Sequence, residues 1–292
     1  MITSTSKLSQ SAVEQTGDFI FRNFMFIEGS IPQPSTADDV SRFLRREAPS
    51  WSILASEHPL ALFKMDLTEN HADLERFSII KDNMCPLTDI VSTLRSDLRK
   101  MGATRINVKV PKSMATHFIA NGFEGAEELV QFVGRPVETR MMPLLRLSNV
   151  TEKEVHDLAK VLHDAYTTHN GKKFLDTEQA ETWLREIVRG NRGRYISEAS
   201  FLSGSPTNYV SACLMTMNSA DEANIVELFT HPLYRARGLA TTELAAGMNW
   251  LVKNKVESLK TWIPSSNDIA YRLFSKIGLQ EDRRVIGLTA KE

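Results

Sequence analysis

Glu227-Leu-Phe-Thr-His-Pro-Leu-Tyr-Arg-Ala-Arg-Gly-Leu-Ala-Thr-Thr-Glu-Leu244 is the stretch whose reading decides the fold. It opens inside an apolar strand over 223–230 and breaks at His231-Pro232. It then re-enters regular structure as a helix with Leu244, Met248, Leu251 and Val252 on one stripe. Between strand and helix lies Arg235-x-x-Gly238-x-Ala240. A helix start presents several unpaired N–H groups and the positive end of the peptide dipoles. An anion such as a pyrophosphate finds its donors there. Gly238 and Ala240 let a ligand approach the main chain closely. No Asp or Glu occurs between Leu228 and Thr242, and Arg235 and Arg237 add positive charge. Alone, Arg-x-x-Gly-x-Ala is a weak pattern that any short loop can carry. The strand before it, the helix after it, the His-Pro-x-Tyr prefix and the acid-free interval make it strong.

Working outward, the C-terminal half reads as a strand at 145–147, a capping box at Thr151-x-x-Glu154, and a helix through Val155, Leu158, Ala159 and Leu162. A second helix over 176–188 and strands over 194–201, 209–217 and 223–230 follow. Beyond the central helix, a strand over 258–263 stops at Pro264. A helix over 267–277 is capped by Gly278, and 285–288 is a last strand. The N-terminal half has the same order: a helix over 37–47, then strands over 51–55, 60–65 and 74–80. A helix through Leu87, Ile90, Val91, Leu94 and Leu98 ends near Gly102. A strand over 105–110 stops at Pro111, a short helix ends at Asn121-Gly122, and a strand covers 128–133. RINVKVP followed by NGFE aligns with SLKTWIP followed by KIGLQ. The simplest reading is a tandem repeat of two units of about 140 residues each. The boundary falls in the non-periodic stretch 135–142, between Pro136 and Pro143, giving domains 1–140 and 141–292.

A length of 292 residues suits two domains, and 42% apolar with 24% charged residues is an ordinary globular composition. With 35 basic and 36 acidic residues the net charge is −1, which argues against non-specific nucleic-acid binding. Cys85 and Cys213 form no CxxC pair, so two reduced thiols are expected rather than a zinc or thioredoxin-type site. His156 and His163 share a helix face without a third ligand, so no metal is expected. Residues 1–15 lack the apolar core of a signal peptide, and no apolar run approaches the ~18 residues that cross a bilayer. A cytoplasmic protein without membrane partners is expected; the oligomeric state is not readable.

These residues resemble a family. HPLYRARGLATTEL is similar to the acetyl-CoA motif of the GNAT acyltransferases: after a strand, Gln or Arg, two residues, Gly, one residue, then Gly or Ala. Ser266-Asn267-Asp-Ile-Ala270-Tyr-Arg-Leu-Phe274-Ser-Lys-Ile-Gly278-Leu279 resembles the second motif of that family. Together the two cover 223–279. A tandem arrangement with one degenerate half is similar to the mycothiol synthase type. The resemblance implies an α/β (α+β) fold of two tandem GNAT-like domains, each a mixed, mostly antiparallel sheet flanked by helices. It implies an N-acetyltransferase that moves an acetyl group from acetyl-CoA to a primary amine of a small molecule or peptide by direct attack. The alternatives are a non-catalytic acyl-CoA-binding or regulatory protein and a transferase of longer acyl groups.

The resemblance also implies roles. The main chain of Phe229 and Thr230 would hold the pantetheine arm. The N–H groups of Arg235, Ala236, Arg237, Gly238, Leu239, Ala240 and Thr241 would hold the pyrophosphate. Asn267 would touch the arm from the other side, and Phe274 would line the same site. The thioester would lie between the strand ends at Thr230 and Ile263. Direct transfer needs a base for the amine and a proton for the thiolate. Glu227 is the base candidate, its alternative being a paired or solvent-facing structural acid. Many family members carry a tyrosine at the position of Phe274; Tyr271, one turn earlier, is the substitute, its alternative being a surface tyrosine. His231 reads as a loop histidine and Cys213 as an apolar filler. Asp221, Glu222 and Glu227 would suit a cationic acceptor shaped by 166–174 and 218–224. The N-terminal counterpart, 80–89, lacks glycine and carries Asp82, Pro86 and Asp89, so that half reads as a degenerate copy without a cradle.

Overall fold

The computed structural model describes residues 1–25, 36–46, 51–68, 70–81, 84–140, 145–167, 174, 176–206 and 208–291. Asp82, residue 47 of the expected first helix, residues 141–142 of the expected boundary and most of 166–174 lie outside that set. The elements are β1 (Ile2–Ser4), α1 (Gln10–Asn23), β2 (Phe24–Met25), α2 (Ala37–Arg46), β3 (Trp51–Ala55), β4 (Pro59–Thr68), β5 (His71–Ile80), α3 (Leu87–Lys100), β6 (Arg105–Val110), α4 (Lys112–Ala120) and β7 (Glu124–Gly134). They continue with β8 (Leu147–Asn149), α5 (Val155–Thr167), α6 (Thr177–Val188), β9 (Arg194–Tyr195), β10 (Phe201–Ser205), β11 (Asn208–Met217), β12 (Glu222–Thr230), α7 (Leu239–Lys253), β13 (Ser258–Pro264), α8 (Asp268–Lys276) and β14 (Gln280–Lys291).

Two compact units emerge: Met1–Leu129 with Arg283–Glu292, and Val130–Asp282. In the first, β1, β3, β4 and β5 pair antiparallel in that order, β5 and β6 pair parallel, and β14 pairs antiparallel with β6. In the second, β8, β10, β11 and β12 pair antiparallel and β12 and β13 pair parallel. Each unit is thus a mixed sheet with one parallel step at the same place in its element order, as the repeat predicts. The expected domain boundary is at 140/141, whereas the compact units divide within β7 and within β14, so that each takes part of the other half's last strand. Leu288 and Ala290 join the first core, and Val130 and Phe132 join the second. No helix among the described residues is long and apolar enough to cross a membrane.

Two local readings change. Residues 1–15 showed no expected element, yet Ser9 caps α1 by accepting the Ala12 N–H, and Val13 and Ile20 are buried along it. The strand expected over 194–201 is broken by a 3-10 turn, Ser197–Ala199. There the Ser200 hydroxyl donates to the Ile196 carbonyl (2.8 Å) and accepts the Met215 N–H (2.9 Å), replacing ladder bonds with side-chain ones.

The second unit has a core on each face of its sheet, and β12 serves both. Leu214 faces Glu227 but Met215 faces Ile225, so Val226 is a bulge. Before the bulge, Ala223 and Ile225 enter the core shared with α7. After it, Phe229 enters the core shared with α5 and α6. Helix α7 approaches the sheet closely at Gly247, where an added Cβ would lie 2.6 Å from the Ala199 carbonyl oxygen and 2.6 Å from Met215 Cε. Gly247→Ala gains about 1 kcal/mol of helix propensity. Overpacking against a backbone carbonyl costs about 1–3 kcal/mol and outweighs it. The urea midpoint falls while the m-value stays; an unchanged or higher midpoint would show that α7 can move away from the sheet.

Candidate active site

The site begins where β12 and β13 part. They pair at only Glu222–Ser258, Ala223–Leu259 and Asn224–Lys260. The Thr261 hydroxyl then donates to the Ile225 carbonyl at 3.1 Å. Beyond that point β12 runs on to Thr230 and β13 to Pro264, with no further pair among the described residues. On the other side, His231 donates its N–H to the Val210 carbonyl at 2.8 Å. Alternate residues of a strand direct their main-chain groups the same way. The main chain of Phe229 therefore turns toward β11, and that of Leu228 and Thr230 toward the gap. Thr230 stands where the sequence places it. Phe229 lends a buried side chain to the α5–α6 core, and Leu228 is a gap-facing residue that the sequence reading did not single out.

The turn that follows is built for close approach. His231 Nδ1 accepts the Leu233 N–H at 3.3 Å, starting a 3-10 turn at Pro232–Tyr234. Ala236 (φ 60°) and Gly238 (φ 76°) are left-handed. The first main-chain bond of α7 runs from the Thr242 N–H to the Gly238 carbonyl (3.0 Å), so the amides of Leu239, Ala240 and Thr241 precede the helical ladder. A Cβ at Gly238 would meet nothing within 4 Å, and the first turn holds no acid. The space in front of this turn is therefore open, as an anion site needs. The Arg235 guanidinium donates to the Ala165 carbonyl (2.7 Å), bracing the turn against the end of α5. Arg237 donates to the Leu233 carbonyl (3.3 Å) and stacks over Tyr234 at 5.2 Å. A cavity of about 340 Å³ beside His231 and Tyr234 is lined by Asp157 and Asp164 as well as Lys160, which does not suit a second anion. In the first unit, the corresponding α3 starts after Pro86 with Asp89 in its first turn, without a left-handed glycine.

Glu227, 4% exposed, accepts the Tyr166 hydroxyl (2.6 Å, from α5) and the Trp183 indole N–H (2.7 Å, from α6). It is a paired buried acid that faces the α5–α6 side. Tyr271 packs edge-on to Phe132 and donates its hydroxyl to Glu281 at 2.9 Å. The two catalytic candidates thus lie on opposite faces of the sheet and are not brought together. Phe274 is buried in the α7–α8 core beside Phe132. Asn267 caps α8, its side-chain oxygen accepting the Ala270 N–H at 3.1 Å. Of the acids expected around an acceptor, Glu222 is paired to Lys260 (2.6 Å) at the far end of β12. Asp221 precedes it there, roughly 30 Å of strand from Thr230, so Glu227 alone stays near the site. His156 pairs with Glu181 (2.8 Å) and His163 with Asp164 (3.5 Å). Both cysteines are free, and burial pushes the Cys213 thiol well up, leaving it an inert filler.

The sequence reading missed Trp183, Ser211 and Glu243, and it took Tyr166 only as the start of an acceptor-shaping segment rather than as a partner of Glu227. Glu243 lies on α7 midway between Leu239 and Gly247, an inward spacing of four that its charge disguised. It is fully buried, and burial pushes its carboxyl up to about 8 while the Ser203 and Ser211 hydroxyls pull the other way.

No family model matches the chain. An uncharacterized N-acetyltransferase of Methanocaldococcus jannaschii is 20% identical over 209 residues, 68% of this chain and 91% of that protein. Two solved structures share the fold over the whole chain. One is a GCN5-related N-acetyltransferase from Sphaerobacter thermophilus, with a TM-score of 0.59, 10% identity and 95% of that chain covered. The other is a tandem GNAT protein from the clavulanic acid biosynthesis pathway, with a TM-score of 0.56, 14% identity and 98% of that chain covered. The chain has the GNAT fold in its tandem form. By fold the chain is similar to the GNAT-type acetyltransferases.

Because the Glu243 carboxyl rises from its ordinary 4.5 to about 8 on folding, the native state holds a proton that the unfolded chain releases. The stability this carboxyl contributes is whole below about pH 4.5 and is lost as pH climbs to about 8, at no more than about 1.4 kcal/mol per pH unit. Glu243→Gln removes that slope. Urea midpoints of both proteins from pH 5 to 9 check it, and parallel curves would mean that Glu243 is ionised in the fold.

Proposed function

We propose that the second unit binds acetyl-CoA and transfers its acetyl group to a primary amine. The observation that carries this reading is the opening between β12 and β13, which leads into an acid-free turn with a left-handed Gly238 and the uncapped start of α7. The residues present fit the cofactor. The amides of Leu239, Ala240 and Thr241 offer donors to a pyrophosphate. The gap-facing main chain of Leu228 and Thr230 can pair with an extended, amide-bearing arm as a further strand would. The bound cofactor supplies an activated thioester.

The chain's own part is to receive the amine and take its proton. Glu227 is the residue this reading assigns to both. Tyr166 and Trp183 hold one oxygen each, which fixes the orientation of the carboxylate. An ammonium acceptor is attracted, and its proton passes to Glu227 directly or through one water. A second reading, acyl-CoA binding without catalysis, draws on the buried phenyl ring of Phe274 where many family members carry a tyrosine. Turnover of acetyl-CoA with a panel of amines separates the two, and binding of longer acyl-CoAs tests the choice of acyl group.

Calorimetry with acetyl-CoA is the first test. The intact chain binds, and Gly238→Glu, which puts a carboxylate into the open space before α7, abolishes binding; no binding by the intact chain removes the proposal. Once an amine substrate is found, Glu227→Gln lowers turnover about 10²–10⁴-fold with acetyl-CoA affinity retained. Full turnover in that variant would leave Glu227 a structural acid.

A further inference from the structure

A row of hydroxyls crosses three strands beneath α7. Ser203 of β10 stands opposite Ser211 of β11, and Ser211 stands opposite Thr230 of β12. Glu243, in the second turn of the cradle helix, reaches this row: its Oε2 lies 2.8 Å from Ser211 Oγ. Ser211 Oγ also lies 2.9 Å from the Phe229 carbonyl oxygen and 2.9 Å from Thr230 Oγ1. Glu243, Ser211 and Ser203 are all buried.

Counting hydrogens decides the direction of each bond. A serine hydroxyl has one hydrogen and two lone pairs, and a carbonyl only accepts. Ser211 therefore gives its hydrogen to Phe229 and accepts from its other two neighbours, Thr230 and Glu243. Glu243 can donate only as a carboxylic acid. The opposite arrangement is costly. An ionised Glu243 would draw the Ser211 hydrogen away from Phe229. Its Oε1, which has no partner among the described residues, would carry charge in the core. The surroundings agree with the neutral form. The Cys213 thiol of β11 is buried in the core shared with α7, and the charges of Glu243 and Glu227 both act to raise its pKa. β10 contributes Ser203, and Glu198 of the neighbouring 3-10 turn bonds Ser197. The carboxyl accordingly titrates at about 8.

This chain of bonds joins the two surfaces that the proposed function assigns to the cofactor. Thr230 ends the strand edge along which the arm would lie, and α7 supplies the amides for the phosphates. With β13 gone from its other side, the main chain at the end of β12 is held in the sheet by its pairing with β11. We propose that Glu243 is a positioning residue of the acyl-CoA site: by donating its carboxyl hydrogen to Ser211 it ties α7 to the end of β12 and holds strand edge and cradle at the spacing one cofactor needs. The inference rests on the acyl-CoA reading of the site.

Acetyl-CoA is titrated calorimetrically into the full chain, Glu243→Gln and Ser211→Ala at pH 6.5 to 9.5, each protein first shown to be folded by its urea transition. The wild type loses about five- to tenfold in affinity as pH passes 8, a typical coupling for linked sites. Glu243→Gln, whose amide still donates to Ser211 and does not titrate, binds like the wild type at pH 6.5 and keeps that affinity at pH 9.5. Ser211→Ala binds more weakly at every pH, without the wild-type step. Tight binding by the wild type with no step near pH 8, or a step shared by Glu243→Gln, overturns the role of Glu243 and leaves the acyl-CoA reading standing. No binding by the wild type at pH 6.5 removes both.

Discussion

The second unit depends on β12 leaving β13 after three ladder pairs. Main-chain donors and acceptors inside a sheet require partners, so two neighbouring strands stay together unless something else meets that need. Here the departure is prepared at two points. The bulge at Val226 turns β12, and the Thr261 hydroxyl takes the Ile225 carbonyl at the place where the next ladder bond would fall. What remains is a strand edge, Leu228 and Thr230, with its groups directed into a gap. The first unit has a similar beginning: β5 and β6 pair at His71–Leu74 and then stop, next to a left-handed Arg76. It lacks the continuation, because its turn carries Pro86 and Asp89 in place of a glycine cradle.

Two buried carboxylates flank β12, and their environments divide the work between them. Glu227, on the α5–α6 side, has a donor on each oxygen. Glu243, on the α7 side, has the Ser211 hydroxyl on one oxygen and no partner among the described residues on the other. Burial costs the charge of Glu243 and pushes its carboxyl up to about 8. A neutral Glu243 also keeps a negative charge from beneath the turn that would receive phosphates, so the acid-free character of 229–242 extends past the point where the sequence ends it.

The exchange of last strands shows where local information stops. Residues 128–133 and 285–288 are both legible as strands, and both are. Which sheet each joins is decided by contacts far apart in sequence: Ile286 against Val110 and Lys291 against Arg105 for one, Phe132 against Tyr271 and Phe274 for the other.

By itself the sequence determined the repeated element order, the strand–turn–helix around Arg235-x-x-Gly238-x-Ala240 and the poverty of the N-terminal counterpart. Those features are written in period, glycine, proline and charge, which act over a few residues. It also placed Glu227 on the right strand, though not its partners. Only the tertiary structure decided that Phe229 turns its main chain away from the gap, that Tyr271 and Glu227 lie on opposite faces, and that Asp221 and Glu222 stand at the far end of β12. Tyr166, Trp183, Ser211 and Glu243 acquire meaning only there as well. A side chain's neighbours across a sheet depend on register, and a carboxyl's charge depends on burial; both come into being when distant segments pack.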